Sequence, residues 1–138
     1  MFSTANAFHR QERAGLMQLL HQITTSKDNK VKVRILTPSD NDIIQKNIIQ
    51  KNLKVNEKID VQFLDKTSWQ SNVTTLTVDG KLSLEAELKD DTKDNSSEAI
   101  GLATYSNSVS IVWTHTSIFE TLWTQATLRR GKEEGIIV

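Results

Sequence analysis

Cysteine is absent from the 138-residue chain, which excludes disulfides, a cysteine-ligated zinc and a thiol nucleophile, and leaves nothing that points to an oxidising compartment. An excess of charge of one sign is absent too. Lys+Arg and Asp+Glu both number 17, so the long-range field that draws a protein onto DNA or anionic lipid is missing. No apolar run approaches the ~20 residues that cross a bilayer. The opening stretch, Met-Phe-Ser-Thr-Ala-Asn-Ala-Phe-His-Arg, shows neither a basic region leading into an apolar one nor a small-residue cleavage site. These absences lead us to expect a cytoplasmic protein with no nucleic-acid or membrane partner. The sequons Asn72-Val73-Thr74 and Asn95-Ser96-Ser97 are short polar triplets that would matter only in a secreted chain.

A chain of this length with 37% hydrophobic residues can bury a sizeable core as one domain. We expect that domain over residues 1–130 and a flexible tail over 131–138. Leu16, Leu19, Leu20 and Ile23 recur at helical spacing with Phe8 two turns earlier, which predicts one amphipathic helix from about Asn6 to Thr24. Val31, Val33 and Ile35 alternate with basic residues as a short strand. Thr37-Pro38-Ser39-Asp40 then has the composition of a helix start, with Thr at the cap, Pro in the first turn and an acid close behind. The helix it opens would hold the pentad repeat Ile43-Ile-Gln-Lys-Asn47 and Ile48-Ile-Gln-Lys-Asn52, whose isoleucine pairs do not fall on one narrow stripe. Ile59, Val61 and Phe63 form the next strand, succeeded by a loop from Asp65 to Asn72.

The clearest local feature is Asn72-Val-Thr-Thr-Leu-Thr-Val-Asp-Gly-Lys-Leu-Ser-Leu-Glu-Ala-Glu-Leu88. Alternating segments on either side of Asp79-Gly80 predict two strands joined by a two-residue turn. Lys89 to Glu98 is polar and lacks the glycine and ligand spacing of a calcium loop. Ala99 to Tyr105 returns as a strand, and Asn107 or Ser108 can cap a final helix. Val109 to Arg130 carries two apolar rows at helical spacing that end at Gly131. Such a helix needs cover on two sides. Trp113, Phe119, Leu122 and Trp123 are therefore candidate interface residues for a homodimer or for a heterodimer with a related chain. The element order predicts an α/β fold with a mixed β-sheet flanked by helices.

The hairpin resembles the phospholipase D-like superfamily, whose His-x-Lys motif, four residues and then Asp aligns on Asn72, Thr74 and Asp79. By that resemblance the domain would be a phospholipase D-like half domain without its catalytic motif. Asn72 stands in place of the nucleophilic histidine and Thr74 in place of the phosphate-binding lysine, and only Asp79 remains. Phosphodiester transfer by that superfamily needs both lost groups, so the resemblance implies a fold without catalysis.

A further resemblance covers most of the chain. Phe2-Ser-Thr-Ala-Asn-Ala-Phe-His-Arg-Gln-Glu12, Val31-Lys-Val-Arg-Ile-Leu-Thr-Pro38, Glu87-Leu-Lys-Asp-Asp-Thr-Lys93, Glu98-Ala-Ile-Gly-Leu-Ala-Thr-Tyr-Ser-Asn-Ser108 and Ser117-Ile-Phe-Glu-Thr-Leu-Trp123 are similar to the input region of archaeal, especially thaumarchaeal, sensor histidine kinases. Effector domains of TrmB-type archaeal regulators are similar as well. The resemblance implies a sensory or dimerising module. Two departures stand out: the apolar strand that precedes Phe-Ser-Thr in that family is nearly missing, and no kinase core or ATP-binding motif is present.

The remaining chemistry-bearing residues are sparse. His9 is followed by Arg10 rather than by the acid usual after a phosphoacceptor histidine. His21 and His115 have no second histidine or carboxylate at i+3 or i+4 to set up a zinc pair, no serine sits in a nucleophile elbow, and no basic groove accompanies Trp69, Trp113 or Trp123. We expect no enzyme, no cofactor and no metal. The expected site is a small-molecule pocket at Asn72, Thr74 and Asp79 with help from Arg10, favouring an uncharged or hydroxylated ligand.

Overall fold

The computed structural model describes residues 1–26, 30–39, 57–65 and 71–133. Thr4 opens the first helix, its side-chain oxygen accepting the Ala7 N–H at 3.0 Å, and α1 runs Ala5–Arg13. The helix stops there because Gly15 adopts φ +100, a left-handed conformation that glycine reaches without a Cβ clash. Leu16–Thr25 then forms a separate α2, so the single helix expected from Asn6 to Thr24 is two.

β1 (Val33–Pro38) and β2 (Ile59–Leu64) pair in parallel, from Val33 opposite Ile59 to Pro38 opposite Leu64. Thr37 and Pro38 thus extend the strand instead of capping a helix. The pentad repeat falls outside the described residues. One face of this pair, through Ile35, Ile59, Val61 and Phe63, packs around Phe8 with Leu16, Met17 and Leu20 of α2. The other face, through Leu36 and Leu64, packs on Leu122 and Ala126 of the last helix. Burial on both faces is what a parallel pair requires. Phe8, only 1% exposed, contributes about 2 to 3 kcal/mol by its burial.

β3 (Val73–Val78), β4 (Leu82–Leu88) and β5 (Ile100–Ser106) make an antiparallel three-stranded meander, with a helical turn α3 (Ser96–Ala99) before β5. The hairpin forms as expected, with Asp79 at φ 55 and Gly80 at φ 66 and the Lys81 N–H donating to the Val78 carbonyl at 3.0 Å. Val78 pairs with Leu82, so the connection is one residue longer than the two-residue turn expected. The last helix, α4, runs Val109–Glu133 and passes through Gly131, which does not cap it. Glycine ends a helix only where the chain takes the left-handed conformation, and Gly131 does not. No helix among the described residues is long and apolar enough to cross a membrane.

The fold is mixed α/β, but among the described residues two small sheets stand in place of one mixed sheet. The N-terminal segment joins them. The Met1 amino group donates to the Thr75 carbonyl at 2.6 Å, the Thr75 N–H donates back to the Met1 carbonyl at 2.9 Å, and the Phe2 N–H donates to the Leu36 carbonyl at 2.8 Å. α4 lies across both sheets, held at its far end by Gln62 Nε2 on Thr127 Oγ1 at 2.7 Å and by Arg129 against Asp65 at 3.4 Å.

Candidate functional site

Successive side chains of a strand point to opposite faces. In the three-stranded sheet, Val73, Thr75, Ser83 and Glu85 face α4, and His115 reaches down from the helix to meet them. The His115 ring pairs through Nε2 with the Glu85 carboxylate, and its Nδ1 lies 3.3 Å from Ser83 Oγ. With the proton on Nε2 held by Glu85, Nδ1 accepts from the Ser83 hydroxyl.

Beside this cluster is a cavity of about 200 Å³ lined by Met1, Ser71, Val73, Thr75, Glu85, His115 and Ile118. It exceeds the ~150 Å³ that suffices for a benzene-sized guest. Its walls are mainly apolar, with Ser71, Thr75, Glu85 and His115 as polar points. The Met1 amino group, taken out of water by burial, has its pKa pushed down from 8.0 to about 5, so near neutral pH it is an uncharged amine that still donates to Thr75.

Serine, histidine and carboxylate in one hydrogen-bonded row is the order of a hydrolytic relay. Here the serine is in the wrong place for it: Ser83 is 2% exposed and does not line the cavity, so its hydroxyl has no room for an acyl group. The row instead fastens α4 to β4. Among the described residues no group of three His, Cys, Asp or Glu could hold a metal ion.

The residues singled out from the hairpin motif do not converge on this cavity. Asn72 is exposed at the start of β3, where its carbonyl accepts the Leu88 N–H at 2.6 Å. Asp79 is exposed at the turn, a full strand away, roughly 20 Å at the rise of extended chain. Thr74 points to the face away from α4, where its Oγ1 accepts the Ser3 N–H at 3.1 Å and lies 3.2 Å from Ser3 Oγ. Arg10 is 3% exposed. Its guanidinium donates to the Lys93 carbonyl at 2.9 Å, the Asp91 carbonyl at 3.2 Å and the Asp91 carboxylate at 3.1 Å. Thr4 Oγ1 donates to the same carboxylate at 3.0 Å, so Arg10 and Thr74 are linked through Ser3, Thr4 and Asp91, while Asn72 and Asp79 stand apart.

The four helix residues chosen as interface candidates divide as well. Trp113 is 70% exposed, but Leu122 belongs to the core against Leu36 and Leu64. Phe119 and Trp123 stack at 5.6 Å, and the Arg34 guanidinium lies 5.0 and 5.3 Å from their ring centres. Arg34 also forks onto Glu120, and that hydrogen bonding holds the Glu120 carboxyl below its usual range.

No family model, curated protein or solved structure matches the chain.

The His115 cluster was missed from the sequence. Its trace is a lone histidine on the stripe that also holds Val112, Ile118 and Leu122, opposite a strand with polar residues at i and i+2. Only the pairing of helix and sheet makes those three residues neighbours.

Proposed function

We propose that the chain is a non-catalytic input module that takes a small uncharged or hydroxylated molecule in the cavity beneath α4 and passes its occupancy on through that helix. One observation carries the reading: the cavity is walled by the side chains that fasten α4 to the sheet, His115, Glu85 and Ile118, together with the N-terminal residue that joins the two sheets. A guest there competes with, or completes, the contacts that set the position of α4. The hairpin positions bearing on phosphodiester chemistry hold Asn72 and Thr74, neither of which supplies a nucleophilic imidazole or a cation.

The resemblance to archaeal sensor kinase input regions, with a degenerate phospholipase D-like half domain, supports a place in two-component signalling in the cytoplasm. The module acts as a homodimer or with a related kinase. The second reading, a stand-alone interaction protein that pairs with related kinases or else a TrmB-like transcription-regulator effector domain, is favoured by the exposed Val109, Ile111 and Trp113 at the start of α4. A residual phosphodiesterase is the least supported.

The test is a thermal-shift screen of small polyols, amides and sugars on the full chain and on Thr75→Leu. Guests that stabilise the parent and lose that effect in the variant support the cavity. Guests whose effect survives Thr75→Leu but vanishes in Asn72→Ala would place the site at the hairpin instead, and hydrolysis of a generic phosphodiester would overturn the non-catalytic reading.

A further inference from the structure

The face of the three-stranded sheet away from α4 is the apolar one. Leu76 pairs with Leu84 and Leu84 with Tyr105, so one row of large side chains crosses all three strands on that face, with Val78 beside it. Their exposures are 55% for Leu76, 40% for Leu84, 63% for Tyr105 and 43% for Val78. On the covered face the corresponding positions are Thr75, Ser83 and Glu85. Around this row the sheet therefore turns mainly polar side chains to α4, while the described residues leave its large apolar ones open to solvent, the reverse of what burial favours.

We infer that this outer face is where two copies of the chain pair, sheet against sheet. The inference deepens the dimerising element of the function proposed above by moving the pairing surface from α4 to the β3–β4–β5 face. Three observations select a second copy over other occupants. The four side chains expose on the order of 400 Å² on one face, within the range of the largest patch on an ordinary monomer and about half of the ~800 Å² that each partner of a stable complex contributes; the rim of the sheet can supply the rest. The row itself bears no charge and the chain has no net charge, so self-association meets no electrostatic barrier. The row is also self-complementary. A two-fold axis along the strands at Leu84 lays β3 of one copy over β5 of the other, placing the smaller Leu76 against the larger Tyr105 twice, with Leu84 on Leu84 at the centre.

The cysteine-free sequence makes the test clean. Within one chain Leu76 and Tyr105 lie two strands apart, about 10 Å, beyond the ~7 Å that a disulfide spans, so a bond between cysteines there must join two chains. The double variant Leu76→Cys, Tyr105→Cys is expected to give a disulfide-linked dimer on mild oxidation at low concentration. Analytical ultracentrifugation of the unmodified chain is expected to show a concentration-dependent dimer, weakened at least about tenfold by Leu84→Asp and by Tyr105→Ser, with circular dichroism unchanged in the latter. A chain that stays monomeric at its solubility limit would overturn the inference. So would a dimer that both variants leave intact and Trp113→Asp disrupts, which would return the interface to α4. So would a monomer in which Leu84→Cys resists thiol labelling, because another part of the chain would then cover the face. A monomer that still takes a guest in the cavity would overturn this inference and leave the input reading standing.

Discussion

At the scale of single residues, the groups that matter most are buried polar ones whose partners come from distant parts of the chain. Arg10 has three acceptors on the Asp91 to Lys93 segment, and removing the buried guanidinium takes its hydrogen bond from each of them and leaves the Asp91 carboxylate without that charge partner. Arg10→Met is expected to cost about 2 to 3 kcal/mol, read from urea denaturation, and to raise amide exchange over residues 90–96. An unchanged midpoint would show the guanidinium to be dispensable. His115→Ala removes the partner of both Glu85 and Ser83, with an expected loss of about 1 to 3 kcal/mol by the same measurement. The Met1 amine is held uncharged by its burial, so the protein loses stability when pH falls far enough to charge it. Its folded pKa is about 5 against 8.0 when exposed, so between those values the unfolded chain binds a proton that the folded chain does not. Stability then rises with pH from 5 to 8, by up to about 4 kcal/mol for the whole chain, and falls away as pH drops toward 5. Denaturation midpoints that stay flat over this window would contradict the burial of the amine.

At the scale of elements, the break at Gly15 is set by backbone conformation. Gly15→Ala forces a Cβ into the left-handed region and should destabilise by roughly 1 to 2 kcal/mol in a thermal melt, although the packing around the glycine stays as it was. A variant with an unchanged melting temperature would mean that α1 and α2 can merge. Periodicity revealed the strands at Ile59 to Phe63 and the hairpin around Asp79-Gly80 because alternation and turn chemistry are local. It did not separate α1 from α2, since Phe8 and Leu16 to Ile23 keep helical spacing across the glycine. Nor did it read Thr37 and Pro38 as strand, because their fit to a helix cap is equally local and the parallel pairing with Phe63 and Leu64 is not.

The same limit governs the candidate site. Alternation in β4 says that Ser83 and Glu85 share a face and that Leu82 and Leu84 share the other, but which face meets a helix depends on tertiary packing. Packing chose the polar face, and His115 supplies the partners that make this tolerable. The hairpin motif picks out Asn72, Thr74 and Asp79, whose spacing along a strand sends the first and last to its two ends.

At the scale of the whole molecule, α4 rests on both sheets, by His115 and Ile118 over the antiparallel one and by Leu122 and Ala126 over the parallel one. The N-terminal segment, tied to Thr75 on one side and Leu36 on the other, forms the second joint between them. A small guest in the cavity touches both joints, which is why the input reading centres there. The most direct measurement is backbone amide exchange along α4 in the presence and absence of a saturating polyol or amide that stabilises the parent chain but not Thr75→Leu. Altered protection from Val112 to Ile118 that extends to Leu122 and Ala126 is the expected result. Binding in the cavity that leaves protection along α4 unchanged would contradict transmission through the helix.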